Sequence, residues 1–260
     1  DWASNDLTES DVMVDSPTNN FSTMNTLDKD GTTLAEGNLK ATIATSGSRC
    51  VLSTIGTPAI GKWYAEVEIT SIAVTAAGFG VCGDTFSAAL GTVPYGYSDG
   101  VFYYAGNGRK YIDGTSYTYG ATFTTGDILG IALNLDDDEI TFYKNGTSQG
   151  VITTKTFVGG YQFVLPNFTG SGTQVYVANF GQDSSFAGNK TPQGNSDSNG
   201  IGDFYYAPPA GGFLALCTKN LPDPTVIPSE HFNTVLYTGG NGANNTAIDV
   251  SGVGFQPDFT

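Results

Sequence analysis

The chain has 260 residues, 13% of them charged, and its 10 lysines and arginines stand against 25 acids for a formal net charge of −15. That balance excludes a binder of nucleic-acid backbones, which needs clustered positive charge, and offers nothing to an anionic membrane surface. Glycine reaches 35 residues and aromatics 12%, the composition of an all-β protein with many tight turns.

Residues 1–15 are polar and turn-rich and read as a linker from a preceding domain. The chain does not begin with Met, so Asp1 is expected to be a processed, excised or internal start. No signal-peptide pattern opens it, and no apolar run approaches the ~18 residues of a membrane span. From about Leu34 the pattern becomes strands. In GKWYAEVEIT, Trp63, Ala65, Val67 and Ile69 alternate with Tyr64, Glu66, Glu68 and Thr70. This is period two, with one buried face and one wet face, and it leaves Glu66 and Glu68 solvated. AAGFGVCG, GVFYYAG and KYIDG are further short strands between glycine turns. Cys50, Cys82 and Cys217 lie far apart without a CxxC, which favours buried free thiols over a zinc site. A Cys50–Cys82 pairing across a sheet is the alternative.

The stretch GDILGIALNLDDDEITFYKNGTSQG carries four consecutive acids, Asp136, Asp137, Asp138 and Glu139. Leu129, Ile131, Leu133 and Leu135 share one strand face before them, and Ile140 and Phe142 share one after them. The run is therefore a hairpin turn, where Asp side chains bond nearby backbone N–H groups and face solvent. A weak calcium site is the competing reading. Asn145-Gly146 turns the chain again, and FVLPNFTG and TQVYVANFG add two strands. Trp63, Val67, Ile131, Leu133, Ile140 and Phe142 are the predicted inter-sheet core. Strands at this spacing predict a β-sandwich or jelly roll. Residues 188–229 read as a strap ending in a Pro-rich linker, and 230–260 as the start of a second β domain too short to stand alone.

Two motifs imitate enzymes. GFGVCG fits the GxGxxG dinucleotide pattern, but no helix follows it. GYSDG fits the GxSxG nucleophile elbow, but a strand follows, and the one histidine, His231, falls in the linker. No acid has an evident buried partner, so no catalytic residue, metal or cofactor is assigned. The tyrosines are more informative. Tyr95, Tyr97, Tyr103, Tyr104, Tyr111, Tyr117 and Tyr119 crowd one short region with Asp99, Arg109 and Lys110. Aromatic rings stack on sugar or peptide surfaces while polar groups orient them. Tyr95, Tyr97, Asp99, Arg109 and Tyr111 are the candidate ligand-binding residues.

GKWYAEVEI, GFGVCGD, YGYSDG, GDILGIALNLDDDEITFYKNG and VYVANFG, in that order, resemble the SPRY (B30.2-like) domain. The resemblance covers residues 16–187. It implies a concanavalin-like bent β-sandwich that recognises ligands through loops at one end, without catalysis. The flanks DWASNDLTESDVMVDSPTNNFSTMNTLD, YYAPPAGGFLALCTKNLP and FNTVLYTGGNG resemble large multi-domain virion proteins of tailed bacteriophages. That likeness implies a virion module in a tail fibre, spike or surface appendage. Its expected partners are other virion subunits, as a homo-oligomer, and a host-surface glycan or protein, with no nucleic acid and no membrane insertion. The alternatives are the non-catalytic part of a polysaccharide depolymerase and an architectural subunit without ligand.

Overall fold

The computed structural model describes residues 18–44, 49–73, 76–88, 96–168 and 172–223, with 232, 234–236, 252 and 254. The chain divides into two units, Asp1–Leu221 and Pro222–Thr260. Most of the second lies outside the described residues, including the expected start of a further β domain and His231. No helix among the described residues is long and apolar enough to cross a membrane.

The first unit is an all-β sandwich of two antiparallel sheets. One contains β1 (Met24–Lys29), β4 (Arg49–Ser53), β13 (Tyr161–Asn167), β6 (Gly78–Gly83), β7 (Gly100–Tyr104), β8 (Arg109–Ile112) and β9 (Thr115–Thr118), in that spatial order. The other runs β12 (Thr147–Ile152), β11 (Glu139–Lys144), β10 (Ile128–Asn134), β5 (Lys62–Ile72), β14 (Gln174–Asn179), β3 (Lys40–Ile43) and β2 (Thr32–Ala35). Alternation along each strand explains the register. Leu133 lies opposite Trp63, Ile131 opposite Ala65 and Leu129 opposite Val67, and Ile131 and Leu133 meet Phe142 and Ile140 on the other side. A slip of one residue would turn all of these to the outside. The six predicted core residues lie together between the sheets, with Phe79, Val81, Tyr103, Tyr161 and Phe163 facing them from the other sheet and Tyr176 beside them on β14.

Two-residue turns close two of the hairpins, one at the expected Asn145-Gly146 and one inside KYIDG, which the sequence pattern reads as strand. Asn145 and Gly146 both take positive φ, 48° and 75°, between β11 and β12. Asp113 and Gly114 do so between β8 and β9, at 50° and 79°. Both are turns whose twist matches the strands they join. The GFGVCG motif is β6 itself. A Cβ on Gly80 would fall 2.3 Å from the Val101 carbonyl oxygen, so its glycine serves close strand packing. All three cysteines are buried and free.

The wet face expected for β5 is dry. Glu66 is fully buried and Glu68 nearly so. The stretch 188–229, expected as a strap and linker, is through Leu221 part of the first unit and covers this face. Its Phe204 packs edge-on against Tyr64, ring centroids 5.1 Å apart. β15 (Leu214–Ala215) pairs in parallel with Trp63 and Tyr64, and Ser22 donates its N–H to the Leu216 carbonyl at 2.9 Å. Glu66 accepts hydrogen bonds from the backbone N–H groups of Tyr205 and Tyr206, both at 2.8 Å. It also accepts from the Tyr64 hydroxyl at 3.1 Å and from Asn179 Nδ2 at 3.3 Å. Glu68 accepts from Asn189 Nδ2 at 2.7 Å and pairs with Lys190. Alternation misplaced these two residues because it reports only that one face is polar, and a strap with spare donors can cover a polar face.

Two consequences are measurable. Phe142→Ala removes a ring from the centre of the core and should cost about 3–5 kcal/mol in urea denaturation. Burial pushes the Glu66 carboxyl from its ordinary 4.5 up to about 7, against four donated hydrogen bonds that lower it. Below 4.5 both folded and unfolded chains hold the proton. Between 4.5 and 7 the unfolded chain ionises first, so stability falls as pH rises across that window and levels off above it. At about 1.4 kcal/mol per unit the loss is on the order of 3 kcal/mol. The difference between wild type and Glu66→Gln, measured by denaturation from pH 4 to 8, should show this slope in the wild type alone.

Candidate functional site

Strand directions bring loops of both sheets to one end: residues 54–61, 84–88, 96–99, 113–114, 135–138 and 153–160. Residues 89–95 lie outside the described residues. The loops are bonded to one another. Thr57 donates its N–H to the Tyr161 carbonyl at 2.8 Å, and its hydroxyl accepts from the Tyr161 N–H at 3.0 Å. Asp84 donates its N–H to the Gly160 carbonyl at 3.1 Å.

An ionic cluster ties three of the loops. Lys155, only 8% exposed, places its Nζ 2.8 Å from Asp99 Oδ1 and 3.0 Å from Asp113 Oδ1. Asp99 Oδ1 also accepts the Tyr161 hydroxyl at 2.6 Å. Burial lowers the Lys155 ammonium, but the two carboxylates outweigh it and hold it above its ordinary value. Burial, aided by the bond to Asp99, also raises the Tyr161 phenol. Asp99 and Asp113 share one cation and are each committed to the scaffold, which is not how the acid pair of a glycosidase faces its cleft.

The acidic turn belongs to the same lock. Leu135–Asp138 does form the hairpin turn, and Asp138 takes a positive φ of 56°. Its side chains do not simply face solvent as expected. Asp136 Oδ1 accepts the Gly61 N–H at 2.7 Å and Asp138 Oδ1 the Phe157 N–H at 2.8 Å. Asp137 accepts from Asn134 Nδ2 at 2.8 Å and pairs with Lys62 at 3.2 Å, and these two donors lower its pKa. The turn thus fixes the loops on both sides of it. Beside these bonds Ile60 and Val158 stand out, 66% and 75% exposed. The surface around them carries Asp84, Asp136 and Asp137, with both nearby lysines, Lys62 and Lys155, already paired.

The residues singled out from sequence fall in different places. Tyr95 lies outside the described residues. Asp99 reaches the loop end but turns into the ionic cluster. Tyr97 packs edge-on against Phe86 at 4.9 Å, and Tyr111 lies over Phe168 at 6.0 Å. Both rest on the outer face of the first sheet with Cys50, Leu52, Cys82 and Phe102. Arg109 donates from Nε to Ser116 Oγ at 2.7 Å and from Nη2 to the Ser116 carbonyl at 3.1 Å, bridging β8 to β9. Tyr97 and Tyr111 therefore share a face, while Asp99 stands apart at the loop end. Sequence reasoning missed Ile60, Val158 and Lys155, each a single residue in a polar loop without periodicity.

This two-sheet architecture with its end loops is a SPRY-type sandwich. Residues 62–183 match the family model described as SPRY domain. Among solved structures, the SPRY domain of human HERC1 aligns with a TM-score of 0.53 at 17% identity, covering 60% of this chain and 96% of that one, a likeness of fold. Among relatives, Ran-binding protein 9 of Xenopus tropicalis is 33% identical over 159 residues, 57% of this chain and 28% of its own length. Human Ran-binding protein 9 is 32% identical over 128 residues, 48% of this chain and 17% of its own. The chain thus spans under a third of the length of these relatives.

The cluster makes a testable demand. Lys155→Ala leaves Asp99 and Asp113 close together without their cation. Because both acids are partly hydrated, the cost should be about 1–2 kcal/mol rather than that of a fully buried pair. Amide hydrogen exchange should rise in 97–99, 113–114 and 153–160 and stay unchanged in β3 and β14.

Proposed function

We propose that the sandwich is a non-enzymatic recognition module whose loop end receives a protein partner. The observation that carries this reading is the pair of exposed apolar side chains, Ile60 and Val158, on loops held by side-chain hydrogen bonds and ion pairs. Apolar anchors on a preorganised surface are what an interface core needs, since little ordering cost remains at binding. The acidic surroundings favour a partner with lysine or arginine around an apolar contact. The name of the Ran-binding relatives gives them a protein partner, which supports a protein ligand here. The virion setting, in a tail fibre, spike or surface appendage, rests on the resemblance of the flanking sequences. Repeated copies there would add avidity to weak single sites, and a host-surface glycan or a neighbouring virion subunit is the natural competitor for the same face.

The test is selection of a displayed random-peptide library on the full chain, followed by affinity measurement. Selected peptides should place basic residues around an apolar one and bind with Kd of roughly micromolar order. Ile60→Asp and Val158→Asp should each weaken them at least about tenfold, a change of ~1.4 kcal/mol. Leu27→Asp, at an exposed position on β1 outside these loops, should leave them unchanged. Equal binding by all three variants would move the ligand surface off the loop end.

A further inference from the structure

The β8–β9 hairpin and the segment just after β12 enclose an open cleft of about 400 Å³, lined by Lys110, Ile112, Tyr117, Thr118 and Thr154. It differs from both surfaces considered above. Lys110 and Ile112 share the face of β8 opposite to Arg109 and Tyr111, and Lys110 lies directly across from Tyr117 on β9. The Tyr119 ring is fixed nearby, since its hydroxyl donates to the Gly150 carbonyl and accepts the Phe142 N–H at 3.1 Å. Lys110 Nζ stands 5.1 Å from the centroid of that ring.

Lys110 is one of five cations, with Lys29, Lys40, Arg109 and Lys219, that enter none of the ion pairs among the described residues, and of these five it is the one that lines the cleft. Burial holds its ammonium below the ordinary value, so it is a partly desolvated cation facing a cavity with only an aromatic ring as counterweight. An anion seated in the cleft would restore what desolvation removes. The remaining lining adds direction. Tyr117 is 46% exposed and offers a ring face, and Thr154 adds a hydroxyl to the lining, while Thr118, across from Arg109, contributes its backbone. A cation, an aromatic platform and a hydroxyl together match a ring that carries a carboxylate and hydroxyl groups.

We propose that this cleft is a subsite for an acidic sugar of the hexuronate class, with the sugar ring against Tyr117, its carboxylate at Lys110 Nζ and a hydroxyl toward Thr154. The volume accommodates one such ring, and the openness at the sandwich edge leaves room for its neighbours in a chain. The lining shares the 153–160 segment with the loop end through Thr154 but includes neither Ile60 nor Val158, so loss of the apolar contact and loss of sugar binding are separately measurable.

The experiment is an amide and lysine-side-chain NMR titration of the full chain with glucuronate, using glucose and acetate as separate probes. Glucuronate should shift Lys110, Ile112, Tyr117, Thr118 and Thr154 with Kd of about 1–10 mM, as suits a shallow one-ring site. It should also raise the Lys110 pKa. Glucose and acetate should each bind at least about fivefold more weakly, because each keeps only part of the contact set. Lys110→Gln should erase the preference for glucuronate over glucose, and Tyr117→Ala should weaken both sugars, with the remaining amide spectrum unchanged as the check on folding. Shifts absent at saturating glucuronate would overturn the proposal. So would acetate matching glucuronate, which would reduce the site to a simple anion contact, or a preference that survives in Lys110→Gln.

Discussion

The carboxylate of Glu66 sits in the middle of β5 out of reach of water, and it can remain there only because donors replace the hydration it has lost. Those donors are supplied largely from far along the chain, by the backbone of Tyr205 and Tyr206 and by Asn179. The strap is thereby bound to the sandwich by a polar requirement as well as by Phe204 on Tyr64. β5 is consequently buried on both faces: Trp63, Ala65, Val67 and Ile69 meet the opposite sheet, while Tyr64, Glu66 and Glu68 meet the strap. With the central strand fixed on both sides, the registers of β10 and β14 against it follow.

The loop end repeats this logic at smaller scale. Short loops cannot bury enough apolar surface to order themselves, so polar bonds hold them instead. Asp136 and Asp138 reach outward from one turn to the N–H groups of Gly61 and Phe157, and Lys155 gathers Asp99 and Asp113. The acids that look most reactive in the sequence are thus largely consumed as structural acceptors. What they leave exposed at the loop end is the less conspicuous pair Ile60 and Val158.

The core of the sandwich was legible because period-two alternation is a local property: the spacing of Trp63, Val67, Ile131, Leu133, Ile140 and Phe142 already states which face is inward. The Asn145-Gly146 turn was legible for a similar reason, since that dipeptide readily takes positive φ, whereas Asp113-Gly114, read within the strand KYIDG, is the turn that ends β8. The candidate sites were only partly legible. Counting tyrosines located a dense region in sequence, but alternation along β8 and β9 then sent Tyr111 to one face of the sheet, where the loop residue Tyr97 also packs, and Lys110 and Tyr117 to the other. Density along a strand carries no information about which side of the sheet a ring faces.

By itself the sequence determined the all-β class, the inward face of the core strands, the Asn145-Gly146 turn and the excess of acids over cations, because each depends on residue type and short spacing. Only the tertiary structure decided the fate of the polar groups. Whether Glu66 is solvated or buried, whether Asp99 meets a ligand or Lys155, and whether residues up to Leu221 are linker or cover all depend on partners tens to hundreds of residues away. Hydrogen-bond donors and acceptors are satisfied by position in space, and spatial position is what a linear pattern of polar residues does not encode.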